Sequence, residues 1–173
     1  MNTPNPASRF STRAIVRAGL IAAIYVILTL IFQPISFKAI QFRIAEALTL
    51  LPILTVDAVA GLAIGCLLAN WMAGAVWFDV VLGSLATLLA ALAARKLRGQ
   101  RFIAAGMPAL FNGLIVGPVV YFAYVRAPGD PVSVPTLLFN MLTVAFGEIV
   151  VCYVLGLPML AALKKLPDKV LNG

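Results

Sequence analysis

The sequence predicts an all-α integral membrane protein, a bundle of six transmembrane helices with both termini in the cytoplasm. Three observations carry that reading. Of 173 residues 62% are hydrophobic and only 11% charged, where a soluble domain carries about 25% charged residues. The mean hydropathy is +1.04. The basic residues stand in short clusters between membrane-length apolar runs, the pattern of cytoplasmic loops. That pattern sets nucleic-acid binding aside, although the net charge is +7.

Residues 1–13 are polar and short, and are expected to form a disordered cytoplasmic start. The membrane domain covers 14–163, and 164–173 form a cytoplasmic tail. The first apolar run, 14–32, is long enough to span at 1.5 Å per residue. It contains Arg17 and no small-residue cleavage site follows, so it reads as a retained helix and not a signal peptide. Pro34 closes it. The second run, 44–56, is short, since about 13 residues of α-helix reach only about 20 Å of a roughly 30 Å core.

Charge decides whether that second run counts as a span. With six spans the cytoplasm receives Arg9, Arg13, Arg17, Arg95, Lys96, Arg98, Arg101, Lys164, Lys165 and Lys169, ten of the 13 basic residues. The outside receives Lys38, Arg43 and Arg126. With five spans only Arg9, Arg13, Arg17 and Arg126 remain inside, against nine outside. Six spans obey the positive-inside rule and five break it. Short or broken helices at membrane depth are tolerated where they line a cavity, so the second span itself hints at a site.

The later spans are 58–78, 80–94, 102–125 and 135–163. Asp57 is expected to N-cap the third, and Gly117-Pro118 to kink the fifth. Pro128, Pro131 and Pro135 stiffen the loop before the sixth. Cys66 and Cys152 read as small packing residues inside apolar segments. The chain contains no histidine, which removes Ser-His catalysis, histidine proton shuttles and most zinc or haem ligation. Three ridges place small residues at every fourth position: Ala14/Ala18/Ala22, Gly61/Gly65/Ala69/Ala73 and Ala105/Ala109/Gly113/Gly117. Such ridges let helices approach closely in lipid. The first starts at the cytoplasmic surface, where a partner has room to dock.

A few polar groups interrupt the apolar spans, and intramembrane charges are costly enough to mark a pathway or a buried pair. Gln41, Arg43 and Glu46 fall at the outer end of the second span, Asn70 and Trp71 at the outer end of the third. Phe78 and Asp79 fall at the junction with the fourth, Tyr121 and Tyr124 near the outer end of the fifth, and Asn140 in the outer part of the sixth. Asn112 and Glu148 lie nearer the midplane. Each also has a plainer reading. Arg43 and Glu46 suit a local i,i+3 ion pair, Asp79 a helix N-terminus, the asparagines interhelical glue, and the aromatics an interfacial belt. Three acids against one arginine favour a cationic or donor-rich ligand. Aromatic rings beside amides and carboxylates suit a flat heterocycle.

The runs PISFKAIQFRIAEALTLLP, GLAIGCLLANWMAG, FDVVLGSLATLLAALAARKLR, LFNGLIVGPVV and GEIVVCYVLGLPML resemble the QueT family. These are substrate-binding S components of energy-coupling factor (ECF) transporters for queuosine precursors. The resemblance implies a six-helix subunit with its pocket outside, a transmembrane T component and two ATPase subunits as partners, and a 7-deazaguanine ligand such as the 7-cyano or 7-aminomethyl form. It also implies docking of the T component on Ala14, Ala18 and Ala22. No cofactor is expected. The chain carries no G-x-x-x-x-G-K-[ST] run, so ATP would be used by the partner subunits. A self-sufficient proton-coupled carrier with Glu148 or Asp79 as proton site is the alternative. An intramembrane enzyme is disfavoured, because Asp57 and Asp79 lie at opposite faces and no catalytic pair assembles.

Overall fold

The computed structural model describes residues 11–36 and 42–165. The expected polar start and tail fall almost wholly outside these residues. Every regular element among the described residues is helical. Helix α1 is Thr12–Ile31, followed by a single turn at Gln33–Ser36. Helix α2 is Ile44–Ile53, α3 Asp57–Met72 and α4 Trp77–Lys96. Helices α5 and α6 are Arg101–Val125 and Val134–Leu163. Four of these, α1, α4, α5 and α6, are long and apolar enough to cross a membrane, while α2 and α3 are apolar but shorter.

Helix α2 departs from expectation in kind. It is a 3₁₀ helix of ten residues, and its rise of about 2.0 Å per residue carries it about as far as 13 residues of α-helix would. It runs through the middle of the bundle and touches all five other helices. Ala45, Glu46, Leu48, Thr49, Leu50, Pro52 and Ile53 on it are all buried. Pro52 removes one backbone donor near its C-terminus. There Arg95 of α4 donates to the carbonyls of Pro52 at 3.0 Å and Ile53 at 3.5 Å. A cation at a helix C-terminus satisfies carbonyls that have no partner of their own.

The break between the third and fourth helices also differs from expectation. Gly74 adopts φ 73°, a left-handed conformation that ends a helix without the penalty a side chain would bring. Helix α4 therefore starts at Trp77, and Trp77, Phe78 and Asp79 form its first turn. Asp57 does not cap α3. Val56 holds the cap position without a side-chain bond, and the Asp57 carboxylate pairs with Arg17 of α1 at 2.9 Å. In α5 the chain passes Pro118 and relaxes into a π turn at Tyr121–Val125. Helix α6 carries a similar π turn at Cys152–Gly156, before Pro158.

Contacts at the helix ends show that the elements alternate in direction. Arg17–Asp57 joins the starts of α1 and α3, and Tyr153 of α6 donates to the carbonyl of Phe102 near the start of α5 at 2.7 Å. This end carries Arg13, Arg17, Arg95, Lys96, Arg98, Arg101, Lys164 and Lys165. At the opposite end the Gln33 amide donates to the Ala73 carbonyl, and the Val76 N–H to the Tyr124 hydroxyl. Only Arg43 and Arg126, among the described basic residues, lie there.

Small residues set the helix spacing. A Cβ on Gly61 would meet the Ala18 carbonyl at 2.6 Å, and one on Gly65 would meet Ala22 Cα at 3.0 Å. A Cβ on Gly117 would stand 2.6 Å from Met141 Cα. The ridges of α3 and α5 thus serve packing within the chain. Gly117→Ala is expected to force α5 from α6 and cost about 1–3 kcal/mol, read as a fall in the thermal unfolding midpoint in detergent. Gly19→Ala, with nothing within 4 Å of the added atom, is expected to cause no fall.

Candidate functional site

Glu46 is fully buried. Its Oε1 accepts from the Tyr25 hydroxyl of α1 at 2.5 Å and from Thr87 Oγ1 of α4 at 2.8 Å. Its backbone carbonyl accepts from Thr49 Oγ1 at 2.5 Å and from Cys152 Sγ of α6 at 3.6 Å. One residue therefore ties together α1, α2, α4 and α6. At three residues per turn Glu46 and Thr49 share a row of α2, with Arg43 at its head.

Above Glu46, toward the end poorer in basic residues, Arg43 is 1% exposed. Its Nη1 lies 4.0 Å from Cys66 Sγ of α3. The same sulfur receives Asn70 Nδ2 at 3.5 Å and lies 3.3 Å from Thr87 Oγ1. Asn70 also donates to the Asp79 carbonyl at 3.3 Å. Gly83 keeps this space open. A Cβ there would stand 2.9 Å from Asn70 Nδ2, 3.1 Å from Asp79 Oδ1 and 3.8 Å from Arg43 Nη1. Across the bundle Asn112 Nδ2 of α5 donates to Glu148 Oε1 of α6 at 3.2 Å. Cys152, one turn along α6 from Glu148, makes the contact with the Glu46 carbonyl. Asp79 to Thr87 spans about 12 Å along α4, so the polar groups form a column from the helix end to mid-depth. Toward the basic end Leu50, Ile53, Ala94, Ala104, Ala105 and Leu160 form a buried apolar cluster below it.

Five side-chain oxygens of the column, Glu46 Oε2, Asn70 Oδ1, Asp79 Oδ1, Asn112 Oδ1 and Glu148 Oε2, are buried without a donor among the described residues. A buried acceptor left unmatched costs about 1–3 kcal/mol. These five oxygens call for donors.

Of the residues singled out in the sequence, Arg43, Glu46, Asn70, Asp79 and Glu148 come together here, and Asn112 joins them. Trp71 is 68% and Phe78 49% exposed, and neither reaches the column. Successive helical residues lie about 100° apart, so turning Asn70 and Asp79 inward turns their neighbours Trp71 and Phe78 outward. Phe78 stacks on Trp77 with centroids 3.8 Å apart. Tyr121 is buried, and its hydroxyl accepts the Ser133 N–H at 2.7 Å, which holds the start of α6. Asn140 is buried but donates to the Thr136 carbonyl of its own helix at 2.8 Å. Gln41 lies outside the described residues. Tyr25, Thr87 and Cys66 were not singled out as site residues. Their signal was positional: Thr87 lies two turns from Asp79 on α4, Cys66 one turn from Asn70 on α3, and Tyr25 three residues beyond Ala22.

The small-residue ridge of α1 has two uses. Ala22 is buried against Gly65, while Ala14 and Ala18 are half-buried. All three also line a groove of about 350 Å³ between α1 and α3, shared with Ala60 and Ile64.

The QueT transporter family model matches residues 15–165, nearly the whole chain. This protein belongs to the QueT transporter family. Membership of a transporter family sets the enzyme reading aside. The chain is similar to "Queuosine precursor transporter QueT" of Lactococcus lactis subsp. cremoris (strain MG1363), at 36% identity over 80 residues. That alignment covers 45% of this chain and 47% of the relative, so it spans about half of that protein's length. No solved structure matches.

The Glu46 carboxylate is expected to depend on its two donors. Tyr25→Phe should lower the stability of the purified protein by about 1–3 kcal/mol, measured as a shift in its detergent unfolding midpoint. Tyr124→Phe, whose hydroxyl lies 3.5 Å from Asp79 Oδ2 in a half-exposed position, should shift it less.

Proposed function

We propose that this QueT family member is the substrate-binding S component of an ECF transporter and captures a queuosine precursor from outside the cell. The observation that carries the reading is the set of five buried acceptor oxygens in one column. A 7-deazaguanine with a 7-aminomethyl group brings what they lack: a ring N–H, an exocyclic amine and an ammonium. The name of the Lactococcus relative supports the same ligand class.

Within this reading Glu148 accepts the guanine-like edge. Its Oε1 has one donor, Asn112, and its Oε2 has none among the described residues. Glu46 is less suited, because Oε1 already takes both Tyr25 and Thr87. Asp79, beside Arg43 and Asn70, faces the aminomethyl cation. Arg43 and the amide of Asn70 face the ring carbonyl. The sequence shows no obvious internal repeat of the kind self-sufficient carriers often carry, which favours the binding subunit. Energy then comes from a T component and two ATPase subunits, with the α1–α3 groove over Ala14, Ala18 and Ala22 as docking face. The inner or plasma membrane of a prokaryote is the expected location.

The reading includes six spans and cytoplasmic termini. The alternating helix directions and the concentration of basic residues at one end support it. Cysteines placed at Gln100 and Gly129 should label from opposite sides of the membrane. Labelling of both from outside would rule the orientation out.

Binding of deazaguanines to the purified protein tests the site. Asp79→Asn should weaken the aminomethyl ligand about tenfold to hundredfold and the uncharged cyano ligand much less. Glu148→Gln should weaken both. Wild-type affinity for both ligands in both variants would show the column to be structural. A bulky replacement at Ala18 should keep binding and lose co-purification with the ATPase–T module.

A further inference from the structure

The end of the bundle that collects the basic residues holds a second groove, away from the polar column. It has a volume of about 270 Å³ and lies between the start of α5 and the last turns of α6. Arg101 and Phe102 line it from α5, and Tyr153, Leu157, Ala161 and Lys164 line it from α6. Its walls are fixed. The Tyr153 hydroxyl bonds the Phe102 carbonyl at 2.7 Å, and the π turn at Cys152–Gly156 places Tyr153 just before the groove. The Arg101 guanidinium carbon stands 5.2 Å from the Phe102 ring centroid, so the cation lies over the apolar floor.

No carboxylate lines this groove. The acids among the described residues are Glu46, Asp57, Asp79, Asp130 and Glu148. Of these Asp57, which is at the same end, is paired with Arg17. Two cations from two different helices therefore flank one apolar floor, uncompensated among the described residues, at the level where the spans end.

We infer that this groove is a binding site for an anionic phospholipid, with Arg101 and Lys164 holding the phosphate and Phe102, Leu157 and Ala161 covering the upper acyl chain. Basic pockets between membrane helices suit lipid phosphates in this way. Inorganic phosphate would satisfy the cations but leave the apolar floor in water, so the lipid is the occupant that matches both halves of the groove. The inference rests on the chain lying in a membrane and is independent of the solute it carries.

The test is lipid titration of the full chain in maltoside micelles, read by native mass spectrometry. Phosphatidylglycerol should bind in preference to phosphatidylcholine. Removing both charges, Arg101→Gln with Lys164→Gln, should reduce the phosphatidylglycerol affinity roughly 30-fold. A charge-matched control at the same end, Arg13→Gln with Lys96→Gln, should leave it within about twofold. Equal binding of the two lipids by the wild type would overturn the inference. So would an equal loss in the control, which would mean a diffuse basic surface, or displacement of the lipid by millimolar inorganic phosphate, which would mean a headgroup-only site. Retention of the preference by the double variant, with cross-links from Arg101 positions to a protein subunit in native membranes, would make the groove a protein interface and overturn it as well.

Discussion

The fold depends on one buried carboxylate carried by a helix too short to cross the membrane as an α-helix. Glu46 sits in the first turn of α2, wholly out of solvent, and takes side-chain bonds from α1 and α4. A carboxylate at that depth is tolerated only when it is hydrogen-bonded. The bonds that satisfy it fix the positions of the helices around it. The 3₁₀ winding of α2 serves the same end. It stretches ten residues over the needed depth and aligns Arg43, Glu46 and Thr49, so the polar side chains enter the bundle in one file.

Polarity in the bundle is graded along its axis. From the end with few basic residues to mid-depth, side-chain oxygens and nitrogens face one another across α1 to α6. Past Glu46 the interior turns to alanine, leucine and isoleucine. A solute bound in the column as proposed would face this apolar cluster next. Release toward the basic end then requires helices to move apart or the bundle to reorient, and neither is available from side-chain rotation alone. In the proposed assembly the partner that supplies such motion docks in the α1–α3 groove. Its ridge residue Ala22 packs under Gly65, which also contacts Tyr25, the donor to Glu46.

The helical class and the direction of each helix were legible from apolar run lengths and basic clusters, because burial in lipid constrains composition directly. The charged and amide side chains of the column were legible for the same reason: Arg43, Glu46, Asn70, Asp79 and Glu148 are too costly in apolar spans to be accidental. Their neighbours were harder. Trp71 and Phe78 sit beside true column residues in sequence, and only the start of α4 at Trp77, set by the left-handed Gly74, shows which side of the helix each occupies. Thr87 and Tyr25 were hidden because a hydroxyl costs little in a membrane helix and leaves a weak trace in hydropathy. The 3₁₀ winding of α2 has no local signature in IAEALTLLPI, whose residues suit an α-helix; packing on every side and the proline near its end decide it.

In the proposed function, donors of a solute complete the acceptors of the column, and Cys66 offers a direct view of that space. Its sulfur lies among Arg43, Asn70 and Thr87 inside the column, whereas Cys152 belongs to the apolar cluster below. The decisive measurement is the rate at which a small mercurial modifies Cys66 in a Cys152→Ala protein, with and without 7-aminomethyl-7-deazaguanine. Saturating ligand should slow modification at least about tenfold, as expected for a thiol shielded by bound solute. Modification at the same rate with and without ligand, under conditions where binding is independently demonstrated, would contradict the proposed function and move the solute site out of the column.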